Sequence, residues 1–353
     1  MPEIIQTKVK YSFLDDYSEG AHPQLLNALI ASNNAQQAGY GNDEYSEEAR
    51  QYIRRHLQNE EVGVFFVPSG TSANAISIAA CLRPHESVIA PSTGHIVTRE
   101  TGAVESAGHK IINVIPEAGK LTPTLIAKAL AENWHYPHMA KPRLVYISNA
   151  TEIGTIYTKD EFRAIKRLCE QHDLLLFVDG ARIGTALASD KNDMSWNDVL
   201  ELTDIFWIGG TKNGALLGEA IVVKDPKLAR DFEFYVKQHG SLLAKGRIMG
   251  AQFAELFRDD LYSDLARQAN VAARKLSRSI TDAGFTLVAE SETNQVFALL
   301  PRPLVDRLQQ DFSFYLWETR GEDWVVVRLL TTWATNELQL AKFGNILLTW
   351  DSK

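Results

Sequence analysis

DIFWIGGTKNGALLGEA, residues 204–220, decides how the rest of the chain is read. An apolar run, Ile205-Phe206-Trp207-Ile208, ends in two glycines, Thr211 and Lys212. A second apolar stretch follows Asn213-Gly214. Short runs without polar alternation read as strands buried on both faces. A lysine amine at the mouth of such a strand, walled by Trp207 and small residues, loses part of its solvation, which favours the neutral form. A neutral lysine can condense with an aldehyde. The alternative is a surface lysine whose stem lies along apolar neighbours.

The same texture extends to both sides. Strands are expected at 64–67, 87–90, 110–115, 143–148, 174–178, 204–208 and 219–223. Helices are expected in the stretch ANAISIAACL, in HIVTRETGAVESA, near 122–133 and at 159–172. Helices between short apolar strands imply an α/β fold with a mostly parallel sheet. The pattern changes after about residue 225, and residues 226–283 read as helical, with Leu265, Ala269, Ala272, Leu276 and Ile280 at a period near 3.6. Strands near 285–288, 295–300, 312–317 and 324–330, with helices near 303–310 and 335–349, form a smaller α+β domain. The segment LLNALIASNNA reads as a further helix.

The 353 residues are 45% hydrophobic, enough for one large core and a smaller one. A net charge of −8 argues against nucleic acid or an anionic membrane as partner. No apolar run reaches the roughly 20 residues of a membrane span. MPEIIQTKVKYSF lacks the apolar centre of a signal peptide, so a cytoplasmic location is expected. Cys81 and Cys169 both sit in apolar helical contexts and read as reduced core thiols. The histidines show no metal-ligand spacing.

Ligands of parallel α/β sheets bind beyond the carboxyl ends of the strands. Three more strand ends are suggestive. In PSGTSAN, Gly70, Thr71 and Ser72 would offer amides and hydroxyls to a phosphate at a helix N-terminus, or Thr71 or Ser72 would simply cap that helix. Asp179 follows five apolar residues, and a carboxylate there needs a cationic partner or serves as an N-cap. Arg182, three residues on, is either that partner or an anion binder. His95 in TGH is a cap, a buried satisfied histidine or a site residue. Together these groups propose one ligand: a phosphate at 70–72, a cationic ring atom facing Asp179 and an aldehyde on Lys212. A phosphorylated pyridine aldehyde meets all three requirements.

From Asp15 to the terminal helix the chain resembles the fold-type I pyridoxal-phosphate-dependent enzymes. More narrowly it resembles the threonine aldolase and β-eliminating lyase family, closest in pattern to the L-allo-threonine aldolases. The resemblance rests on SGTSAN, GHI, VDGAR, GGTKNG and VVVRLLTTWAT in that order, with Asp179 and Lys212 thirty-three residues apart. It implies an aspartate-aminotransferase-like fold: a large cofactor domain over 15–245 and a small C-terminal domain over 246–353, with 1–14 packing on either. It also implies pyridoxal 5′-phosphate as cofactor. Lys212 would bind its aldehyde, Asp179 its ring nitrogen and His95 its ring face. Gly70, Thr71 and Ser72 would hold the phosphate, with Thr211 assisting. Arg182 and Arg328 would bind the substrate carboxylate. The family forms homo-oligomers, usually a tetramer of two dimers, and Lys237 and Lys245 in VKQHGSLLAKGR lie where it reaches a neighbour's phosphate site.

The chain departs from the family in two places that face the substrate. Glu152, in SNATEIGTIY, stands where many threonine aldolases have histidine, and Asp15 stands where many have serine. The expected reaction is cleavage of a β-hydroxy-α-amino acid, such as L-threonine or L-allo-threonine, to glycine and an aldehyde, with His95 or Glu152 taking the hydroxyl proton. β-Elimination or transamination of another amino acid is the nearest alternative. A non-catalytic α/β protein binding a phosphorylated ligand is the alternative from another class.

Overall fold

The computed structural model describes residues 10–350. Two compact units divide the chain: Gly20–Arg267 is the larger, and 10–19 with 268–350 form the smaller.

The larger unit is built on a seven-stranded sheet. Its order is Gly63–Val67, Glu219–Val223, Ile205–Gly209, Leu175–Asp179, Lys141–Ser148, Glu86–Pro91, Lys110–Val114. Neighbours are parallel from Ile205–Gly209 onward, and only Glu219–Val223 runs antiparallel to both of its neighbours. Every residue of Ile205–Gly209 and Glu219–Val223 is buried, so neither strand shows polar alternation. Val67, Ile76, Val88, Leu144, Phe177, Trp207 and Ile221 belong to one apolar cluster. Because six strands share a direction, Val67, Pro91, Ser148, Asp179 and Gly209 all end along one edge of the sheet.

Four local features differ from expectation. The stretch 95–107 is two short helical turns, His95–Thr98 and Ala103–Ser106. Thr101 and Gly102 have φ of 53° and 75°, in the left-handed region, and a right-handed helix cannot continue through them. Asp179 is the last residue of its strand, not the first beyond it. A helix over Glu44–Leu57, capped by Asp43 accepting from the Ser46 amide, has no counterpart in the sequence reading. Finally, the chain divides at Arg267 and Gln268, not at 245 and 246. The Arg247–Arg258 helix crosses Glu44–Leu57 so closely that a Cβ on Gly250 would lie 2.5 Å from Ser46 Cα, which ties it to the larger unit.

In the smaller unit an antiparallel sheet runs in the order Tyr315–Arg320, Trp324–Leu330, Gln295–Pro301, Thr286–Leu287. Leu276, Ile280, Val296, Leu300, Phe312, Val327 and Phe343 form its core. Tyr11–Ser12 pairs in parallel with Phe312–Ser313, so the described part of the N-terminal segment belongs to this unit. Cys81 and Cys169 are free thiols, each pushed up to about 12 by burial. Among the described residues no helix is long and apolar enough to cross a membrane.

Candidate functional site

Asp179 is the centre of a buried hydrogen-bond network at the carboxyl edge of the large sheet. Its Oδ2 accepts from the Tyr146 hydroxyl at 2.6 Å and from Asn74 Nδ2 at 2.9 Å, and its Oδ1 accepts from the Ala181 amide at 3.0 Å. Tyr146 lies on the adjoining strand and Asn74 on the Gly70–Cys81 helix. The Trp207 indole donates to Asn74 Oδ1 at 2.9 Å. An indole N–H is only a donor, so the Asn74 amide is oriented without ambiguity. Its two N–H groups then serve Asp179 and Glu100, the latter at 2.7 Å. Burial raises the Tyr146 phenol well above its usual range, and the Asp179 charge adds to this, so the phenol remains a donor.

The expected phosphate loop opens the Gly70–Cys81 helix. Its N-cap is Ser69, neither Thr71 nor Ser72: Ser69 Oγ accepts from the Ser72 amide at 3.2 Å and donates to Ser72 Oγ at 3.0 Å. The Gly70 and Thr71 amides occupy the first two helical positions, where N–H groups have no partner within the helix. A Cβ on Gly70 would sit 2.9 Å from Trp207 Cη2, so only glycine lets the loop lie against that ring. A Cβ on Gly180 would sit 1.7 Å from the Trp207 carbonyl oxygen. Both VDGAR and SGTSAN therefore owe a glycine to the same tryptophan.

Lys212 is half-buried in the turn that follows Ile205–Gly209. Glu219 holds this turn from the antiparallel strand. Its Oε2 accepts from the Gly210 amide at 2.8 Å and its Oε1 from the Thr211 hydroxyl at 2.8 Å. Thr211 Oγ1 also accepts from the Gly218 amide at 3.2 Å. The single Thr211 hydroxyl proton is thus directed to Glu219. Burial pushes the Glu219 carboxyl up to about 7, against the opposing pull of its hydrogen bonds and of the Lys212 charge.

His95 and Glu152 follow the ends of two further strands, Glu86–Pro91 and Lys141–Ser148. A ring nitrogen of His95, Nδ1, lies 2.7 Å from Glu100 Oε1; the imidazole is 42% exposed and the Glu100 side chain is fully buried. Burial raises the Glu100 carboxyl, opposed by its bonds to His95 and Asn74. Glu152 Oε1 accepts from Ser148 Oγ at 2.7 Å, while its Oε2 is enclosed without a hydrogen-bond partner. Burial raises the Glu152 carboxyl, the Ser148 bond opposes this, the Asp179 charge adds to the rise, and Arg182 acts against it. Arg182 and Glu152 therefore lie within electrostatic reach of each other.

The other expected residues have these surroundings within their own units. Lys245 is exposed, two residues before the Arg247–Arg258 helix, and the Lys237 ammonium lies 4.7 Å from the Tyr40 ring centroid. Asp15, in the smaller unit, closes its own turn by accepting from Ser18 Oγ at 2.6 Å and the Tyr17 amide at 3.2 Å. Arg328, also in the smaller unit, lies over the Trp317 and Phe297 rings at 5.4 and 5.9 Å and donates to Gln295. Among the described residues no group of acidic, histidine and cysteine side chains is arranged to hold a metal ion.

Sequence reasoning missed Ser69, Asn74, Glu100, Tyr146 and Glu219. Ser69 and Asn74 lie inside the quoted SGTSAN motif, so that signal was present. Glu100 follows His95 by five residues, and the two side chains meet where the helical turn ends at Thr98 and the backbone leaves the helical region at Arg99.

A family model described as "Beta-eliminating lyase" matches residues 14–302. The low specificity L-threonine aldolase of Pseudomonas aeruginosa is 35% identical over 333 residues, covering 92% of this chain and 93% of the relative. The solved threonine aldolase of Leishmania major is 41% identical with a TM-score of 0.94, covering 96% of this chain and 98% of that one. A mutant aspartate aminotransferase of Thermus thermophilus, 17% identical, has a TM-score of 0.68 over 96% of this chain and 91% of that one. The last shares the fold alone, and the expected aspartate-aminotransferase-like architecture is present.

Proposed function

Because this chain belongs to the beta-eliminating lyase family, we propose that it is a pyridoxal-5′-phosphate-dependent lyase that cleaves L-threonine or L-allo-threonine to glycine and an aldehyde. One observation carries this reading. Asp179, gripped by Tyr146, Asn74 and the Ala181 amide, ends one strand, and the turn bearing Lys212 follows the strand beside it. The relatives described above are threonine aldolases, which favours aldol cleavage over β-elimination, transamination or non-catalytic phosphate binding.

The residues fit the cofactor. The Gly70 and Thr71 amides at a helix N-terminus, with the Ser69 and Ser72 hydroxyls beside them, form a donor set for a phosphate. Asp179 accepts three protein donors, and a carboxylate has capacity for one more, which suits a protonated ring nitrogen. Lys212 supplies the amine. When bound, the cofactor provides an electron sink for the pair released at Cα.

Asp179 keeps the ring nitrogen cationic, and Tyr146 and Asn74 hold that carboxylate in place. His95 serves the ring face. Arg182 binds the substrate carboxylate and so orients the Cα–Cβ bond. Orientation of this kind lowers a barrier by several kcal/mol, up to roughly 7–11 in favourable systems. His95 is the first base for the β-hydroxyl proton, a partly exposed imidazole whose other nitrogen is held by Glu100. Glu152 is the second; its raised carboxyl and its place near Asp179 and Arg182 support it. The chain works in the cytoplasm as a tetramer of two dimers, with Lys245 directed to a second copy's phosphate site; light scattering measures the assembly.

The reading is tested by loading the purified protein with pyridoxal phosphate and assaying both threonine diastereomers. Glycine and acetaldehyde in equal amounts are expected. Ammonia and a keto acid would replace aldol cleavage by β-elimination.

A further inference from the structure

We propose that Glu100 and Asn74 are positioning residues that lock the neutral His95 ring in its Nδ1–H tautomer, leaving Nε2 as a hydrogen-bond acceptor on the exposed side.

The argument begins at Trp207. Its indole can only donate, so the atom it meets on Asn74 is the carbonyl oxygen. The Asn74 nitrogen must then face Asp179 Oδ2 at 2.9 Å and Glu100 Oε1 at 2.7 Å, and it donates to both. With that amide saturated, Glu100 Oε1 is an acceptor toward Asn74. The one other polar atom on the same oxygen is His95 Nδ1 at 2.7 Å. In its carboxylate form Glu100 accepts from both neighbours through this oxygen, which places the imidazole proton on Nδ1. The end of the helical turn at Thr98, where Arg99 leaves the helical region, accompanies the meeting of Glu100 with His95.

Glu100 has no exposed side-chain surface, so it cannot itself meet a substrate. Its influence must pass through the imidazole. With Nδ1 protonated, the outward nitrogen carries a lone pair and can take a proton from a hydroxyl; in the other tautomer it could only donate. The tautomer stands on this network alone, whereas its use as a base for the β-hydroxyl rests on the aldolase reading above.

The test is the ring itself. Long-range proton–nitrogen correlation spectra of the histidine-labelled, cofactor-free full chain, at a pH about two units above the ordinary imidazole value of ~6.5, report which nitrogen is protonated. The His95 signals are identified by their loss in His95→Gln. The wild type is expected to show protonated Nδ1. Glu100→Ala is expected to revert to the Nε2–H form that a free imidazole side chain prefers. Glu100→Gln, whose carbonyl can accept from both Nδ1 and Asn74, is expected to keep Nδ1–H. In the loaded enzyme, Glu100→Ala should lower kcat about ten- to hundredfold with little change in KM. A wild-type ring protonated on Nε2 overturns the proposal, as does an unchanged tautomer in Glu100→Ala. Should Glu100→Ala not fold, the wild-type and Glu100→Gln spectra still decide. An Nδ1–H ring in a protein that does not cleave threonine would leave the positioning intact and remove the aldolase reading instead.

Discussion

Glu219→Gln should make the protein's stability less sensitive to pH, by an amount the burial of this carboxylate fixes. Glu219 is 4% exposed, and its carboxyl moves from an ordinary 4.5 up to about 7. Between those values the folded chain binds the proton more tightly than the unfolded chain. The contribution of this group is therefore complete below about pH 4.5 and is lost as pH rises through about 7. A change of this size corresponds to about 3 kcal/mol. Glutamine cannot ionise. Its carbonyl can accept from the Gly210 amide and its nitrogen can donate to Thr211 Oγ1, so the turn keeps its bonds. Urea unfolding of cofactor-free wild type and variant, at pH values of about 5 and 8.5, gives the double difference. The variant should gain on the wild type by up to ~3 kcal/mol at the higher pH. A gap between the two proteins that stays within ~0.5 kcal/mol at both pH values would refute the reasoning.

Lys212→Ala should take up pyridoxal phosphate without the visible band of the wild type, and borohydride should fix no cofactor to the chain; a yellow, active variant removes Lys212 from its role. Asp179→Ala should bind cofactor weakly and turn over slowly, and near wild-type turnover would count against the ring-nitrogen assignment. Gly180→Ala should be insoluble or lose more than ~4 kcal/mol of stability, since the new methyl would sit 1.7 Å from the Trp207 carbonyl oxygen; calorimetry checks it, and a near-native melting temperature contradicts it. Glu152→Gln preserves the Ser148 bond, so an unchanged kcat assigns proton removal to His95, whereas a fall of ten- to hundredfold, roughly what a general base supplies, assigns it to Glu152.

The parallel sheet was legible because buried strands write themselves as uninterrupted apolar runs, and Ile205–Gly209 is the plainest of them. The turn at Lys212 and the acid at Asp179 stood out because a charge beside such a run demands an explanation. The residues that hold those charges did not stand out. Asn74 is polar within an apolar helix, and nothing local reveals that its amide meets residues 26 and 105 positions away. Glu219 opens a strand and reads as a surface residue until the antiparallel pairing with Gly209 encloses it. The helix over 95–107 failed for a different reason: apolar periodicity carries no record of a positive φ at Thr101. The Arg247–Arg258 helix belongs with the larger unit, where Gly250 approaches Ser46, and contacts across two hundred residues leave no mark in composition.

Glu152 projects from a bend that is tied within itself and to its surroundings: Ser148 holds the side chain and Thr151 bonds Thr155, while the Asn149 amide donates to the Asp179 carbonyl and Thr155 Oγ1 to the Ala118 carbonyl. Asp179 is gripped by a different set, from a helix and a neighbouring strand. A new side chain at position 152 would consequently leave all three donors of the Asp179 carboxylate in place, so that one position can drift without disturbing the acid beside it.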